Sequence, residues 1–476
     1  MRRRHSLQSY YPTILRMRMR RLHSLQSYNP VILQSCYPTI LRMRNRMRTS
    51  APPLTPHPSP LYLQLQMQTH HPVIFRLSNG LRVVHQFLPR EVAHCGLMMG
   101  TGSRDERTGE HGLAHFLEHC LFKGTEKRKT FHILSRLDAV GGELNAFTSK
   151  EETWIHASHL KEDYERAIEL IADIAFHSTF PEKEIEKEKD VIYDELNSYK
   201  DSPADLIFED FDEMLFGDHP FGRTIIGTEN SLKRFTREHL QRFHKRALNL
   251  NNLIFSSAGN VTAEKLQALL EKHMGSIKMS SKKLHRERVK KHHFEHKVEK
   301  KDIHQVHYLL GMPAYDFDHK MRPALSLLNN IIGGPAMNNR LSMRIREKHG
   351  IAYHVDSNYS PFSDTGIFTV YLGTDKENLK KSKELVWQVL NEFKKERMSA
   401  RALSDAKKQI IGQIALAQDS GSAIMFNIAK SLMLFNRVDT LEELFEKIHD
   451  ISAADCHHVA NEIFDTKRSC SVTYTY

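Results

Sequence analysis

The chain has 476 residues, which is enough for two or three domains that each bury a core. Its five cysteines are odd in number and contain no C-x-x-C pair, which excludes a disulfide framework and a zinc finger and favours a reducing compartment. No run approaches the ~18 consecutive apolar residues of a membrane-spanning helix. A protein without a membrane partner is therefore expected.

The formal charge of +11 is confined to one end of the chain. Residues 1–66 contain eleven Arg and no Lys, Asp or Glu. Removing these eleven from the 68 basic residues leaves 57, which equals the 57 acidic residues. The remainder of the chain is neutral, so we expect no nucleic-acid partner for it.

The basic segment also repeats itself, because SYYPTIL at 9–15 returns as SYNPVIL at 27–33 and as SCYPTIL at 35–41. An Arg-rich, acid-free leader is typical of mitochondrial import, but the prolines interrupt an amphipathic helix. We expect Met67 to be the biological start and residues 1–66 to be disordered or spurious translated repeat sequence. A cytoplasmic location follows, with the mitochondrial matrix as the alternative if the segment is a real presequence.

From Met67 onward, strand and helix patterns alternate. The predicted elements of residues 67–280 are a hairpin across Asn79-Gly80, a strand at 93–100, a helix at 112–122, a strand at 153–160, helices at 162–177 and 182–200, and a strand at 253–259 followed by a helix. Such a mixture of strands and helices predicts an α+β domain.

A second domain is predicted after a charged connection. Residues 281–301 are rich in charge and poor in large apolar side chains, which is typical of a solvated linker. In residues 302–476 the order of elements restarts as strand, helix, second helix, strand and a long helix at 376–397. The prediction is two α+β domains of comparable size.

The segment His115-Phe116-Leu117-Glu118-His119 lies within the predicted helix at 112–122. Residues four apart share one helix face, so His115 and His119 can bind one metal ion. Glu118 is displaced around the axis, where its carboxylate can take a proton from a metal-activated water. Because the chain has thirty histidines, the motif alone is only moderately specific, and two helix histidines that merely cap or pack remain an alternative.

A catalytic zinc ordinarily has a third protein ligand, and the acidic helix at 182–200 offers several. Glu188 and Glu195 are seven apart and share a face, whereas Asp194 points elsewhere. A ligand at Glu195 supported by Glu188 is geometrically sensible, but the residues by themselves do not select it.

The sequence resembles the pitrilysin/insulinase family of zinc peptidases, in particular its short branch that includes the mitochondrial processing peptidase. In that family an inverted H-x-x-E-H motif is followed by a glutamate ligand after 75 residues, the interval that separates His119 from Glu195 here. The resemblance implies that His115, His119 and Glu195 bind Zn²⁺, that Glu118 is the general base and that Glu188 supports the ligands. It covers the chain from about Phe75 to the C-terminus.

Three further residues follow from the same resemblance. Asn145, in GGELNAFTS, matches the strand edge on which a substrate peptide adds as an extra strand. Arg346 and Tyr353 match the pair that binds substrate and stabilises the tetrahedral intermediate. From composition alone, Asn145 is a turn or strand-end residue, Arg346 an exposed helix charge and Tyr353 a packed strand aromatic.

The resemblance implies two α/β-roll domains that form half of a clamshell, so a closed chamber needs a second copy or a related subunit. Since this chain retains both the metal residues and the Arg/Tyr pair, a homodimer is favoured over a heterodimer. The expected activity is zinc-dependent endopeptidase cleavage of unfolded peptides by Glu118-activated water. The alternative is a non-catalytic peptide-binding or scaffold subunit of a related peptidase complex.

Overall fold

The computed structural model describes residues 71–282 and 284–476. The predicted start at Met67 and the repeat segment 1–66 lie outside these residues. The described residues form two sheets, each with helices packed against it, which is the α+β arrangement expected from the sequence. Among them, no helix combines the length and the apolar character needed to cross a bilayer.

The first sheet has six strands in the order β1-β2-β6-β3-β5-β4. Its strands are β1 (Val73–Arg76), β2 (Arg82–Phe87), β3 (Val92–Met99), β4 (Glu143–Thr148), β5 (Thr153–Leu160) and β6 (Leu253–Gly259). All neighbours are antiparallel except β2 and β6. The predicted hairpin across Asn79-Gly80 is the β1-β2 pair, and Gly80 supplies the left-handed backbone of its turn with a φ of 90°.

Eight helices of the described residues belong to this half. They are α1 (Leu113–Leu121), α2 (Thr130–Asp138), α3 (Tyr164–His177), α4 (Glu182–Lys200), α5 (Pro203–Phe216), α6 (Glu229–Arg234), α7 (Arg237–Ala247) and α8 (Ala263–Leu270). A short π-helix at Glu271–Gly275 follows α8. In α4, the buried Ile185, Ile192 and Leu196 recur at helical spacing and pack it against the core.

The second sheet has five strands in the order β7-β11-β8-β10-β9. They are β7 (His296–Lys300), β8 (Val306–Ala314), β9 (Ala352–Pro361), β10 (Gly366–Thr374) and β11 (Cys470–Thr475). The helices are α9 (Arg322–Gly333), α10 (Leu379–Lys395), α11 (Ala400–Ala417), α12 (Gly421–Phe435), α13 (Leu441–His449) and α14 (Ala453–Ile463), with a π-helix at Ser342–Glu347. This π-helix occupies the position of the predicted second helix.

The two sheets share one topology. Without β1, the first sheet reads β2-β6-β3-β5-β4, and each strand has a counterpart in β7-β11-β8-β10-β9, including the single parallel pair. The metal-motif helix α1 then corresponds to α9, and β4 corresponds to β9. Helix α9 contains no His or Glu, so it lacks the metal-binding motif that α1 carries at the corresponding position.

The predicted linker 281–301 differs from the structure at its C-terminal end. Residues 296–300 form β7, which pairs in parallel with β11 and is the edge of the second sheet. Its sequence HKVEK is short, charged and mostly exposed, as expected for an edge strand, and these features led to its assignment as linker.

One helix of each half packs on the sheet of the other half. Helix α5 places Ile207, Phe211 and Leu215 against the second sheet. A Cβ atom at Gly311 of β8 would lie 2.1 Å from the Phe211 ring, so only glycine permits this contact. Helix α12 in turn covers the first sheet with an apolar face that includes Met425. The two sequence halves are therefore interlocked through these helices.

Candidate metal centre

Helix α1 carries both predicted imidazole ligands in the interior of the first half. All nine of its residues are buried, and its apolar side chains belong to the main core cluster. His115 and His119 lie one turn apart on one face, with ring centroids 4.6 Å apart. A helix packed on every side holds its histidines in fixed positions.

Helix α4 brings the third predicted ligand to the same place. Glu195 Oε2 lies 3.8 Å from His115 Nε2 and 3.5 Å from His119 Nε2. One ligand atom from each of the three residues lies within 4.8 Å of the others. The structure thus brings together His115, His119 and Glu195, although 80 positions separate His115 from Glu195 in the sequence.

These spacings fit a tetrahedral zinc ion. Zinc bonds of about 2.0–2.2 Å separate tetrahedral ligand atoms by about 3.3–3.6 Å, close to the distances between Glu195 and the two imidazoles. Two imidazoles and one carboxylate are also a donor set that catalytic zinc sites use, with one position left for water or substrate. Within the described residues, the buried His119 Nε2 makes no hydrogen bond, which leaves this atom available to an ion.

Glu188 supports the centre from behind His119. Its Oε1 lies 2.9 Å from His119 Nδ1, and its Oε2 lies 2.5 Å from Lys123 Nζ. Burial alone would raise the pKa of Glu188, but the hydrogen bond to His119 and the Lys123 charge lower it. The second imidazole nitrogen is thereby held by an ionised carboxylate, which fixes the ring orientation.

The carboxylates around His119 make the centre attractive to a cation. Burial opposes a positive charge on this imidazole, but the hydrogen bond to Glu188 and the charges of Glu195 and Glu118 together raise its pKa. The same negative field favours a divalent ion at that position. Glu118 is itself buried on α1 and lies near enough to contribute to this field.

Asn145 lies on β4 at the end of the first sheet. Its register partner is His156 of β5, and β4 has no second neighbour in the described part of the chain. Asn145 therefore lies within an edge strand. The position allows an extended peptide to pair with β4.

Arg346 and Tyr353 lie in the second half, and in the described part of the chain no hydrogen bond or ion pair joins them to the metal residues. The Arg346 guanidinium pairs with Glu347 at 2.8 Å. Tyr353 lies on β9 with 79% of its surface exposed, so its prediction as a packed aromatic from composition is wrong. A large exposed phenol beside a cationic π-helix is available to a ligand or to another chain.

A cleft of about 430 Å³ opens beside His115. Its walls come from the C-terminal half of α4, from α5, from the loop 224–228 and from the start of α6. Tyr199 and Glu209 line it, and burial together with the Glu195 and Glu209 carboxylates raises the pKa of Tyr199. Neither residue could be predicted from the sequence, because neither belongs to a local motif and only the acidic run of α5 signals Glu209.

Two buried histidines and one partly buried glutamate, on two packed helices, form a set that could hold a metal ion in a duplicated α+β fold. The family model described as Insulinase (Peptidase family M16) matches residues 82–229, and the model described as Peptidase M16 inactive domain matches residues 234–410. The Bacillus subtilis protein "Uncharacterized zinc protease YmxG" is 33% identical over 82% of this chain and 95% of its own length. An "Uncharacterized zinc protease" of Rickettsia felis is 35% identical over 83% of this chain and 95% of its own length. The chain belongs to the insulinase family, peptidase family M16.

Solved structures agree with this assignment. A protease from Helicobacter pylori has a TM-score of 0.79 and 25% identity, and the match covers 85% of this chain and 99% of that one. A Pseudomonas fluorescens structure described as a peptidase M16 inactive domain has a TM-score of 0.78 at 20% identity, over 85% of this chain and 98% of that one. The second similarity concerns the fold alone.

Proposed function

We propose that this chain is a zinc-dependent endopeptidase that cleaves unfolded peptides. The observation that carries the proposal is the convergence of His115, His119 and Glu195 at zinc-like spacings beside the buried Glu118. When bound, zinc polarises the scissile carbonyl and lowers the pKa of water. Similarity to proteins named zinc proteases supports the same reading.

The residues of the chain supply the remaining chemistry. Glu118 takes the proton of the attacking water and returns it to the leaving amine nitrogen. Glu188 holds the His119 ring in one orientation through Nδ1. Neither task requires a change in the buried helix α1 or in the face of α4 that packs against it, so the site is preorganised.

Substrate binding is proposed along the edge of β4. An extended peptide that pairs with β4 forms main-chain hydrogen bonds that do not depend on its sequence, and Asn145 holds its backbone near the metal. The cleft beside His115 then receives one substrate side chain. Only an unfolded segment can present its backbone in this way, which defines the substrate class.

A second copy of the chain is proposed to complete the site. Arg346 and Tyr353 both donate hydrogen bonds suited to a developing oxyanion, but they belong to the second half of the chain, whereas the proposed zinc ligands belong to the first. Their exposure supports a role toward the metal centre of a partner copy. A heterodimer with a related subunit is the alternative assembly.

The alternative function is that of a non-catalytic peptide-binding or scaffold subunit. The family model that matches residues 234–410 is described as an inactive domain, which favours this alternative for the second half of the chain. Metal content and peptide cleavage by the purified chain distinguish the two functions. A chain with one equivalent of zinc and metal-dependent cleavage is the proposed enzyme, whereas a chain that binds peptides and never cleaves them is the scaffold.

A further inference from the structure

The start of the metal helix is held by a residue from outside the helix. Gly112 precedes α1 with a φ of 88°, and no side chain at this position caps the helix. Instead, the Gly112 and Ala114 amides donate to Glu106 Oε2 and Oε1 at 2.9 and 2.8 Å. A Cβ atom at Gly112 would lie 2.6 Å from Gly227 Cα, so the helix start is also pressed against the cleft loop.

Glu106 is an unusual cap. Helix N-termini are ordinarily capped by Ser, Thr, Asp or Asn immediately before the first turn, at little cost in desolvation. Glu106 lies six positions before Gly112, is 4% exposed, and devotes one carboxylate oxygen to each amide. Burial raises the pKa of Glu106 to about 8, against the lowering effect of the two amides and of Arg223. Two hydrogen bonds to one rigid group fix both the position and the direction of the first turn.

The turn 103–106, which contains Glu106, also takes part in a cluster of ion pairs between the two halves. Arg104 is buried and pairs with Glu151 at 2.6 Å and with Asp364 of the second half at 2.7 Å. Asp105 pairs with Arg286 of the linker at 2.8 Å. The turn 103–106 therefore connects the second half and the linker to the first turn of the metal helix.

We propose that Glu106 is a positioning residue that sets the place of His115 relative to Glu195. His115 follows Ala114 directly, so a shift of the first turn moves its imidazole, whereas Glu195 lies on a separate helix and stays. The inference rests on the proposed zinc centre. Metal sites tolerate errors of only about 0.5 Å in ligand position, so a loosened helix start weakens zinc binding.

The test compares Glu106→Gln with a matched loss of a buried charge. An amide side chain can accept only one of the two N–H groups, because its NH₂ repels the other. Asp173→Asn is the control, since Asp173 is equally buried but bonds to Thr125 and Arg128, away from α1. Zinc affinity is measured by chelator competition at about pH 9, where the Glu106 carboxyl is ionised and both of its oxygens accept an N–H. The absorption spectrum of the Co²⁺-loaded protein reports ligand geometry.

We expect Glu106→Gln to bind zinc about tenfold or more weakly and to change the Co²⁺ spectrum, while Asp173→Asn matches the wild type in both. A Glu106→Gln protein with unchanged affinity and spectrum overturns this proposal and leaves the zinc centre standing. A wild-type chain that binds no zinc overturns the centre and this proposal together.

If Glu106→Gln does not fold, hydrogen exchange in the zinc-free wild-type chain decides. The proposal expects the Gly112 and Ala114 amides to exchange as slowly as those inside α1, because the cap does not depend on the metal. Exchange at the fast rate of an uncapped first turn overturns it.

Discussion

Glu188 Oε1 lies 2.9 Å from His119 Nδ1, on the opposite side of the imidazole ring from the nitrogen that faces Glu195. This contact joins two helices, because Glu188 belongs to α4 and His119 to α1. The same helix α4 thus supplies both a metal ligand and the support for another ligand. Its seven-residue spacing places both carboxylates on the face that meets α1.

Glu188→Gln is expected to weaken zinc binding about tenfold to 100-fold, because the neutral amide no longer stabilises the metal-bound imidazole. Chelator competition measures the affinity. Glu186→Gln is the control, since Glu186 lies on the same helix but is exposed and pairs with Lys189. Equal losses in both variants would contradict the supporting role of Glu188.

Glu118→Gln is expected to retain zinc and to cleave peptides about 100-fold to 10,000-fold more slowly, because the amide cannot accept the proton of water. A quenched fluorescent peptide measures the rate, and elemental analysis measures the metal. Glu126→Gln, at an exposed position after α1, should cleave at the wild-type rate. Normal cleavage by Glu118→Gln would rule out the proposed mechanism.

Mixing two inactive variants tests whether the site is completed between chains. Glu118→Gln retains Arg346 and Arg346→Ala retains the metal centre, so one site of each mixed dimer is intact. Random mixing should restore about one quarter of the wild-type activity if Arg346 acts on a partner.

If Arg346 acts on the metal centre of its own chain, the mixture will remain inactive. Light scattering of each variant provides the control, because both must form the same assembly as the wild type. Tyr353→Phe in place of Arg346→Ala repeats the test with a smaller change.

Acid is expected to destabilise the fold through His156. Burial, with a smaller contribution from His94, lowers the pKa of His156 from 6.5 to about 4, so the unfolded chain binds this proton more tightly. The corresponding stability is complete above about pH 6.5 and falls as the pH approaches 4, by on the order of 3 kcal/mol. Denaturant unfolding across this range measures the loss.

His156→Phe should flatten this pH dependence, because the ring would remain packed between Phe147 and Phe426 without a titrating nitrogen. His458→Phe, at an exposed position, is the control and should leave the slope unchanged. An unaltered slope in His156→Phe would assign the acid sensitivity to other groups.

Met425→Asp is expected to destabilise both halves in a single unfolding transition, by about 3 kcal/mol or more. Met425 of α12 is fully buried against the first sheet, where a carboxylate has no partner within the apolar cluster. Calorimetry compares it with Leu416→Asp, a control at a position that is 68% exposed. Two separate transitions, with only one of them shifted, would contradict the interlocked arrangement.

The sequence predicted the elements around the metal residues well, since their signals are local. The apolar spacing of α1 and α4 fixed which faces are buried, and the pairing of His115 with His119 follows from helix geometry. The alignment of Glu195 with them depends on how two helices pack. It could be expected only from family resemblance.

The residues that the sequence did not reveal depend on long-range contacts. The amphipathic pattern of α5 and of α12 would be the same whichever sheet the helix covered. The sequence therefore gives no local sign that each of them packs on the sheet of the other half. Glu106 resembles a surface acid until the fold places two amides against it. The charged strand β7 resembles a linker because edge strands avoid apolar surface.

The packing of α5 and α12 on the sheets of the opposite halves restricts how the protein can move. A hinge between the sheets would have to pull each helix off the apolar face that it covers, exposing clusters that include Phe211 and Met425. Each chain is then expected to behave as one rigid shell. In the proposed dimer, a peptide enters when two such shells part from each other, so substrate entry is governed by the contact between copies.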